Sequence, residues 1–225
     1  MTLSWRILLA STLVILSPLS VPANAAEWAR YKSADFSLAP PPAVGSALEA
    51  EDFRLLHAYE SKRSKADCDL SRLQVHPTFL SLFGKSWGYL SEDEIGLVEP
   101  ITEKAMQLAE RIAGYHKGKF RRPRPYDTDA TLTPCGEKPG GARSYPSSHA
   151  SSATAGACVL ALLFPERSEE ILAYGSYLGE LRAIVGVHHP SDVTAGQSLG
   201  QEVCRRLQDD EGFRQDLADT ERKLP

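Results

Sequence analysis

The stretch Ser147-Ser-His-Ala-Ser-Ser-Ala-Thr-Ala-Gly-Ala-Cys-Val-Leu-Ala-Leu-Leu-Phe164 decides the fold. It holds no proline, and its small residues favour a helix that neighbouring helices can approach closely. The residues spaced to share one helical face are His149, Ala153, Gly156, Leu160 and Leu163. We therefore expect a central, closely packed helix in which a histidine occupies the first turn.

Apolar spacing predicts further helices around this segment. They cover residues 47–65, 91–115, 166–184 and 192–207. Ser91 and Glu94 form a capping box, whereas Pro100 is expected to kink or restart the second of these helices. No run alternates apolar and polar residues long enough to predict a sheet. The predicted fold class is all-α, a single-domain helical bundle with loops at one end.

The two ends of the chain differ from this helical domain, which we assign to residues 47–225. Residues 1–25 contain Arg6, an apolar run and the small-residue pair Ala23 and Ala25, a pattern typical of a removed signal peptide. The apolar run is too short and interrupted to span a bilayer. Residues 26–46 are Pro-rich and predict an extended arm on the domain, while residues 208–225 predict a frayed helical tail. A periplasmic or secreted protein with no membrane span is expected.

Export would place the four cysteines in an oxidising compartment, where disulfides form. Cys158 and Cys204 both fall in helices near the expected centre, so their pairing is plausible and would leave Cys68 for Cys135. The alternative, that the two helical cysteines are buried free thiols, is equally compatible with the sequence.

The formal charge of −4 and the pI near 5.9 give no reason to expect nucleic-acid binding. An anionic ligand must therefore meet a local positive cluster. Five cations occur between Lys117 and Arg124, just after the predicted helix, and Pro123 and Pro125 stiffen this segment. A solvated basic loop is the alternative, but a stiff chain holds its arginines in fixed directions that suit a phosphate.

A second segment, Ser144-Tyr-Pro-Ser-Ser-His149, enters the small-residue helix. Backbone amides at a helix N-terminus have no partner within the helix and face the positive end of its dipole. Ser147, Ser148 and His149 can therefore cradle an anion, although Ser147 could serve as an N-cap as well.

A third segment runs from Arg182 to Asp192 and contains two adjacent histidines. Asp192, four positions after His188, can accept from one imidazole nitrogen and leave the other free to attack. His189 would point elsewhere, so we predict a surface or rim residue rather than part of a two-histidine metal site. The remaining histidines, assigned structural or solvent roles, are His57, His76 and His116.

Together these three segments closely resemble the signature K-x6-R-P, P-S-G-H, S-R-x5-H-x3-D of the type-2 phosphatidic acid phosphatase superfamily. The Pro-rich arm, chain length and leader look most like its bacterial class A non-specific acid phosphatases. Two positions depart from the pattern. Ser148 stands where glycine is usual, and Leu181 stands where serine usually precedes the arginine.

The resemblance implies a fold of the acid phosphatase and vanadium haloperoxidase type and a broad acid phosphatase of phosphate monoesters that needs no metal or cofactor. His188 would attack phosphorus, Asp192 would orient it, and His149 would protonate the leaving group. The phosphate would be held by Lys117, Arg124, Arg182, Ser147 and Ser148. A bell-shaped kcat/KM profile with an acidic optimum follows. A vanadate-dependent haloperoxidase and a non-catalytic phosphate-binding module remain alternatives, and the resemblance suggests a homo-oligomer.

Overall fold

The computed structural model describes residues 31–84 and 87–225. The helices are α1 Ala47–Lys62, α2 Lys65–Leu73, α3 Phe79–Phe83, α4 Glu92–Phe120, α5 Pro125–Thr128, α6 Ser148–Leu163, α7 Ser168–Ile184, α8 Pro190–Gln208 and α9 Glu211–Glu221. Short 3-10 turns occupy Ser33–Asp35 and Pro165–Arg167. No β-strand is found in these described ranges, so the all-α prediction is confirmed.

Helix α6 lies at the centre, and it packs most extensively against α4, α7 and α8. Its small residues explain this, because they let neighbouring backbones come close. A Cβ added at Gly200 of α8 would lie 2.5 Å from the Ser151 carbonyl oxygen. At Gly175 of α7, an added Cβ would collide with the Ala157 side chain. The predicted close packing around residues 147–164 is therefore present on two sides of the helix.

Helix α4 is longer than the sequence predicted. The capping box of Ser91 and Glu94 is present, but the helix continues through Pro100 without restarting. The carbonyl that Pro100 leaves without its helical donor belongs to Gly96, which is exposed to water. The helix ends at Phe120 rather than Tyr115, so Lys117 lies in its last turn and not in a loop after it.

The predicted helix 47–65 is divided in two. Helix α1 ends at Lys62, and a capping box of Ser64 and Asp67 starts α2, which the sequence analysis missed together with α3. Residues 1–30 lie outside the described residues, and with them the predicted signal peptide and the first part of the arm. In the remainder of the arm, Phe36 is buried and its carbonyl accepts from Nε2 of His116 at 2.9 Å.

The C-terminal residues are more ordered than predicted. Asp210 caps α9, and Phe213 in its first turn is fully buried, so the frayed tail expected for residues 208–225 is wrong. Phe213 belongs to the main apolar core, and Leu217 and Leu224 pack against that core, so apolar contacts hold this short helix in place.

Two disulfides join the cysteines in the pairing that the sequence left open. Cys68 of α2 bonds to Cys135 with 5.5 Å between the Cα atoms, and Cys158 of α6 bonds to Cys204 of α8 with 6.3 Å. No cysteine is left as a free thiol within the described ranges, which excludes the alternative. Residues 31–84 and 87–225 contain no helix that combines the length and apolarity needed to cross a bilayer.

Candidate active site

Lys117 projects from the last turn of α4 and is 7% exposed. Its Nζ donates to the carbonyl oxygens of Arg143 at 2.8 Å and Ser144 at 3.2 Å, where the chain enters α6. Burial, followed by the positive charge of Arg124, lowers the pKa of Lys117 to about 7. A cation held this way lacks a counter-ion, and a bound anion would supply one.

Two arginines lie beside it. Arg124 precedes α5, and its Nη1 donates to the Val187 carbonyl oxygen at 2.8 Å. Arg182 lies in the last turn of α7, and its Nη1 donates to Oγ of Ser71 at 2.8 Å. Both arginines are buried, and neither Nε has a hydrogen-bond acceptor. Burial, followed by the charge of Arg124, lowers the pKa of Arg182 to about 10. Three mutually repelling cations therefore face inward, none of them turned to bulk water.

His188 lies between one of these cations and a carboxylate. Its Nε2 accepts from Nη1 of Arg124 at 2.7 Å, and its Nδ1 lies 3.5 Å from Oδ2 of Asp192. Burial, followed by the charge of Arg124, holds the pKa of His188 well below its usual value. The ring is therefore neutral, with the lone pair on Nε2 and the proton on Nδ1.

Asp192 is fully buried at the start of α8 and accepts from several donors. Its Oδ2 accepts a hydrogen bond from Oγ of Ser144 at 2.5 Å. The same oxygen accepts from two groups of His189, the backbone N–H at 2.9 Å and Nδ1 at 3.0 Å. Its Oδ1 accepts a hydrogen bond from Nη1 of Arg122 at 2.7 Å. Burial alone would raise the pKa of Asp192, but the hydrogen bonds from His188 and His189 hold it well below its usual value. The carboxylate is therefore ionised and fixed in orientation.

The predicted surface position of His189 is wrong. The residue is 2% exposed, its ring packs edge-on against Phe53 at 5.5 Å, and its Nδ1 lies closer to Asp192 than that of His188 does. His189 is buried because it is the N-cap of α8. The Asp192 carboxylate, three residues later, accepts from the backbone N–H of His189, as in a capping box. His189 therefore helps to hold the carboxylate that faces His188.

Arg122 is one of the five cations of the basic segment, and no role was predicted for it. Its Nη2 donates to Oδ2 of Asp52 at 2.9 Å, and its Nη1 donates to Asp192 and to Oγ of Ser191 at 2.8 Å. Asp52 in α1 also accepts from the backbone N–H of Ser191 at 2.9 Å. No short-range spacing signals this pair, since the two residues that form it are 70 positions apart.

The helix entry differs in one respect from the expected amide cradle. Ser147 is the N-cap of α6, where its Oγ accepts from the Ala150 N–H at 3.3 Å. Its own N–H donates to the Asp192 carbonyl oxygen at 2.9 Å, so this amide is not available to an anion. The hydroxyl proton of Ser147 and the first-turn amides of Ser148 and His149 remain suited to one.

His149 lies in the first turn of α6 and is half-buried. Its Nε2 lies 2.6 Å from the Gln74 carbonyl oxygen. A carbonyl can only accept, so Nε2 carries the proton and Nδ1 is the second, free position. Burial, followed by the charge of Arg182, lowers the pKa of His149 well below its usual value.

One positive pocket borders both imidazoles. The charges of Lys117 and Arg124 lower the pKa of each ring, although the rings belong to different helix-entry segments. The three sequence segments thus meet at one end of the bundle. The structure also places Leu181 in an apolar cluster with Val185 and Val187, so this departure from the signature contributes packing instead of a hydroxyl.

The other predicted positions lie elsewhere. His57 is exposed and pairs with Asp129 at 2.9 Å, His76 is exposed, and His116 is buried against the arm. A cavity of about 640 Å³ also lies outside the cationic pocket, between the arm and the end of α4. It contains none of the three pocket cations and reaches the site only through Arg122 and His189.

The pKa of Lys117 predicts how stability varies with pH. Between its folded value of about 7 and the ordinary value of 10.5, the unfolded chain binds a proton that the folded protein does not. The free energy of unfolding should therefore rise with pH in this range, by up to about 1.4 kcal/mol per unit. Urea unfolding in phosphate-free buffer should show this slope for the parent and lose it for Lys117→Met. The exposed neighbour supplies the control, Lys119→Met, and equal slopes in both variants would contradict the assignment.

The chain is similar to one protein family and to several known proteins. Residues 105–205 match the PAP2 superfamily. The chain is 34% identical over 191 residues to a non-specific acid phosphatase of Providencia stuartii, which covers 80% of this chain and 76% of that protein. It is 29% identical over 192 residues to an acid phosphatase of Zymomonas mobilis, covering 80% and 71%. A non-specific acid phosphatase of Salmonella typhi is 34% identical over 136 residues, covering 56% and 53%. With the three segments assembled at one end of an all-α bundle, the chain belongs to the PAP2 superfamily.

Proposed function

We propose that this phosphatase of the PAP2 superfamily hydrolyses phosphate monoesters, with broad specificity, through a phosphohistidine on His188. One observation carries the proposal. Nε2 of His188 faces Arg124 at 2.7 Å while Nδ1 faces Asp192, so the nitrogen that carries the lone pair borders the cations that would hold a phosphoryl group. The acid phosphatases to which the chain is similar support the same reaction class.

Binding is chiefly electrostatic. Lys117, Arg124 and Arg182 would share the phosphate oxygens, and the free Nε atoms of the two arginines gain acceptors in doing so. The Ser147 hydroxyl and the first amides of α6 would add donors at the positive end of the helix dipole. Phosphoryl transfer depends mainly on positioning and on stabilising equatorial charge, which this set of donors supplies.

The chemical steps then need two imidazoles. The Nε2 lone pair of His188 forms a bond to phosphorus as the ester P–O bond breaks, and the departing alkoxide takes a proton from His149. Asp192 stabilises the cationic ring that results. Water next attacks the phosphohistidine, with His149 accepting its proton, and the N–P bond breaks to release phosphate. General acid catalysis of this kind contributes on the order of 10²–10⁴ in rate.

The direction of the pKa shifts supports an acidic optimum. His149 must be protonated in the free enzyme, and burial beside cations places its pKa below the ordinary 6.5. The ratio kcat/KM reports the protonation state of the free enzyme. It should therefore fall as the pH rises past the lowered pKa of His149. The acid limb corresponds to protonation of His188, whose pKa is also lowered.

The test uses p-nitrophenyl phosphate with EDTA present. We expect hydrolysis with a bell-shaped kcat/KM profile centred below pH 7, and a base-stable, acid-labile phosphoenzyme after rapid quenching with labelled substrate. A protein that hydrolyses no monoester, or whose kcat/KM still rises above pH 9, would contradict the proposal.

The setting of this activity is proposed as well. The signal-peptide pattern of residues 1–25 and the two disulfides support a secreted or periplasmic enzyme that has lost its leader. An N-terminal sequence of the mature protein beginning after Ala25 would support this, and a retained leader would oppose it.

A further inference from the structure

Gln74 follows α2 and is fully enclosed by protein, with 0% of its surface exposed. Neither Nε2 nor Oε1 of its side chain has a hydrogen-bond partner. Burying an amide without a partner is unfavourable, so such groups are rare and need an explanation.

The turn that carries Gln74 belongs to the wall of the pocket. The Gln74 carbonyl oxygen accepts from Nε2 of His149, and Oγ of Ser71 accepts from Nη1 of Arg182. The disulfide from Cys68 holds the same helix against the chain at Cys135. Gln74 is therefore in direct contact, through its backbone, with the histidine proposed as proton donor.

Some of the other buried polar atoms without a hydrogen-bond partner lie in the same pocket. Among the described residues, those with a buried side-chain polar atom that has no partner are Gln74, Thr102, His116, Arg124, Arg182 and His188. The unpartnered Nε atoms of Arg124 and Arg182 belong to the cationic pocket, whereas the unpartnered Nδ1 of His188 faces Asp192. An anion with several acceptor oxygens would satisfy the arginine Nε atoms there, and an amide donor would find an acceptor in the same anion.

We infer that the Gln74 side-chain amide is a further substrate-binding group, which donates from Nε2 to an oxygen of the bound phosphoryl group. Its Oε1 accepts from water that enters with the anion. The inference rests on the proposed function only in taking phosphate as the anion. It adds a neutral donor to the charged ones, on the side of the pocket that Arg182 and His149 share.

The test uses the absence of hydrogen-bond partners for the Gln74 side chain. Gln74→Leu keeps the volume and removes both polar atoms, so the anion-free variant should melt at the same temperature as the parent or higher. Inorganic phosphate should raise the melting temperature of the parent far more than that of the variant. We expect the phosphate Kd to rise roughly 10- to 100-fold, as for loss of a hydrogen bond to a charged group, with a similar loss in kcat/KM.

Thr102→Val is the matched control. Thr102 is also fully buried with an unpartnered hydroxyl, but it lies on α4 about 22 Å from Lys117, at about 1.5 Å per residue. This variant should share the unchanged or higher melting temperature and keep parental phosphate affinity. Gln74→Met, which has the same length, is measured in parallel in case the branched leucine packs poorly.

The outcomes separate this inference from the proposed function, because phosphate binding is measured without turnover. Parental phosphate affinity in both Gln74 variants would overturn the inference, whether or not the protein hydrolyses esters. A large fall in the anion-free melting temperature of both variants would also overturn it, since the side chain would then be structural. A parent that binds phosphate without hydrolysing monoesters would overturn the proposed function alone, and weakened binding in the variants would still support Gln74.

Discussion

Replacing His188 with alanine is expected to reduce kcat for p-nitrophenyl phosphate by at least about 10⁴-fold, because it removes the proposed nucleophile. The ring is neutral, and its Nε2, which carries the lone pair, accepts from Nη1 of Arg124 at 2.7 Å. The phosphoenzyme trapped by rapid quenching should disappear in the same variant. Steady-state rates, quench-flow and phosphate-induced thermal shifts would measure these effects, and binding should survive because the cations remain.

Two further variants make this prediction specific. His57→Ala removes an exposed histidine and should retain parental rates. His189→Ala removes a donor to Asp192 without removing the proposed nucleophile, so its kcat should fall while the phosphoenzyme still forms. A trapped intermediate in His188→Ala that is absent in His189→Ala would show that the adjacent histidine is the nucleophile.

The largest expected change in stability follows from Asp52→Ala. This change leaves the Arg122 guanidinium, 6% exposed, without one of its two carboxylates, and removes the acceptors of the Ser191 amide and hydroxyl. Breaking one side of a buried ion pair typically costs about 3–5 kcal/mol. Urea unfolding should show a loss of this size. The rate should fall too, because Arg122 also fixes Asp192.

Glu51→Ala is the matched control for that loss. Glu51 is the neighbouring residue of the same helix and pairs with Arg54, but both side chains are largely exposed. Surface pairs of this kind contribute about 0–1 kcal/mol. If the two variants lost similar amounts of stability, the buried network around Arg122 would not have the importance assigned to it.

The fold could be predicted where local chemistry determines it. Small residues between Ser147 and Phe164 indicated a central helix, and the structure places that helix between α4, α7 and α8. The division after Lys62 and the order of the C-terminal helix were missed. The capping box of Ser64 and Asp67 is a local pattern that could have located the division, whereas the burial of Phe213 depends on tertiary packing that apolar periodicity does not reveal.

The candidate site, like the fold, could be predicted only in part. Cations, histidines and Asp192 lie in short segments whose spacing carries the pattern, so sequence alone could nominate them. Their supports could not be nominated, because Asp52 meets Arg122 across 70 positions and Gln74 meets His149 across 75. The burial of His189 was missed for a smaller reason, since adjacency to His188 suggested divergence, whereas the Asp192 carboxylate holds both rings.

The bond between Cys68 and Cys135 has a consequence for where the pocket can be assembled. It ties α2, which contains Ser71 and is followed by Gln74, to the loop in which the Cys135 amide donates to the Val185 carbonyl oxygen. Val185 lies three residues before His188. Fixing ends that are 67 positions apart removes about 4 kcal/mol of chain entropy from the unfolded state. In a reducing environment the two thiols would separate, and this constraint on the wall of the pocket would be lost.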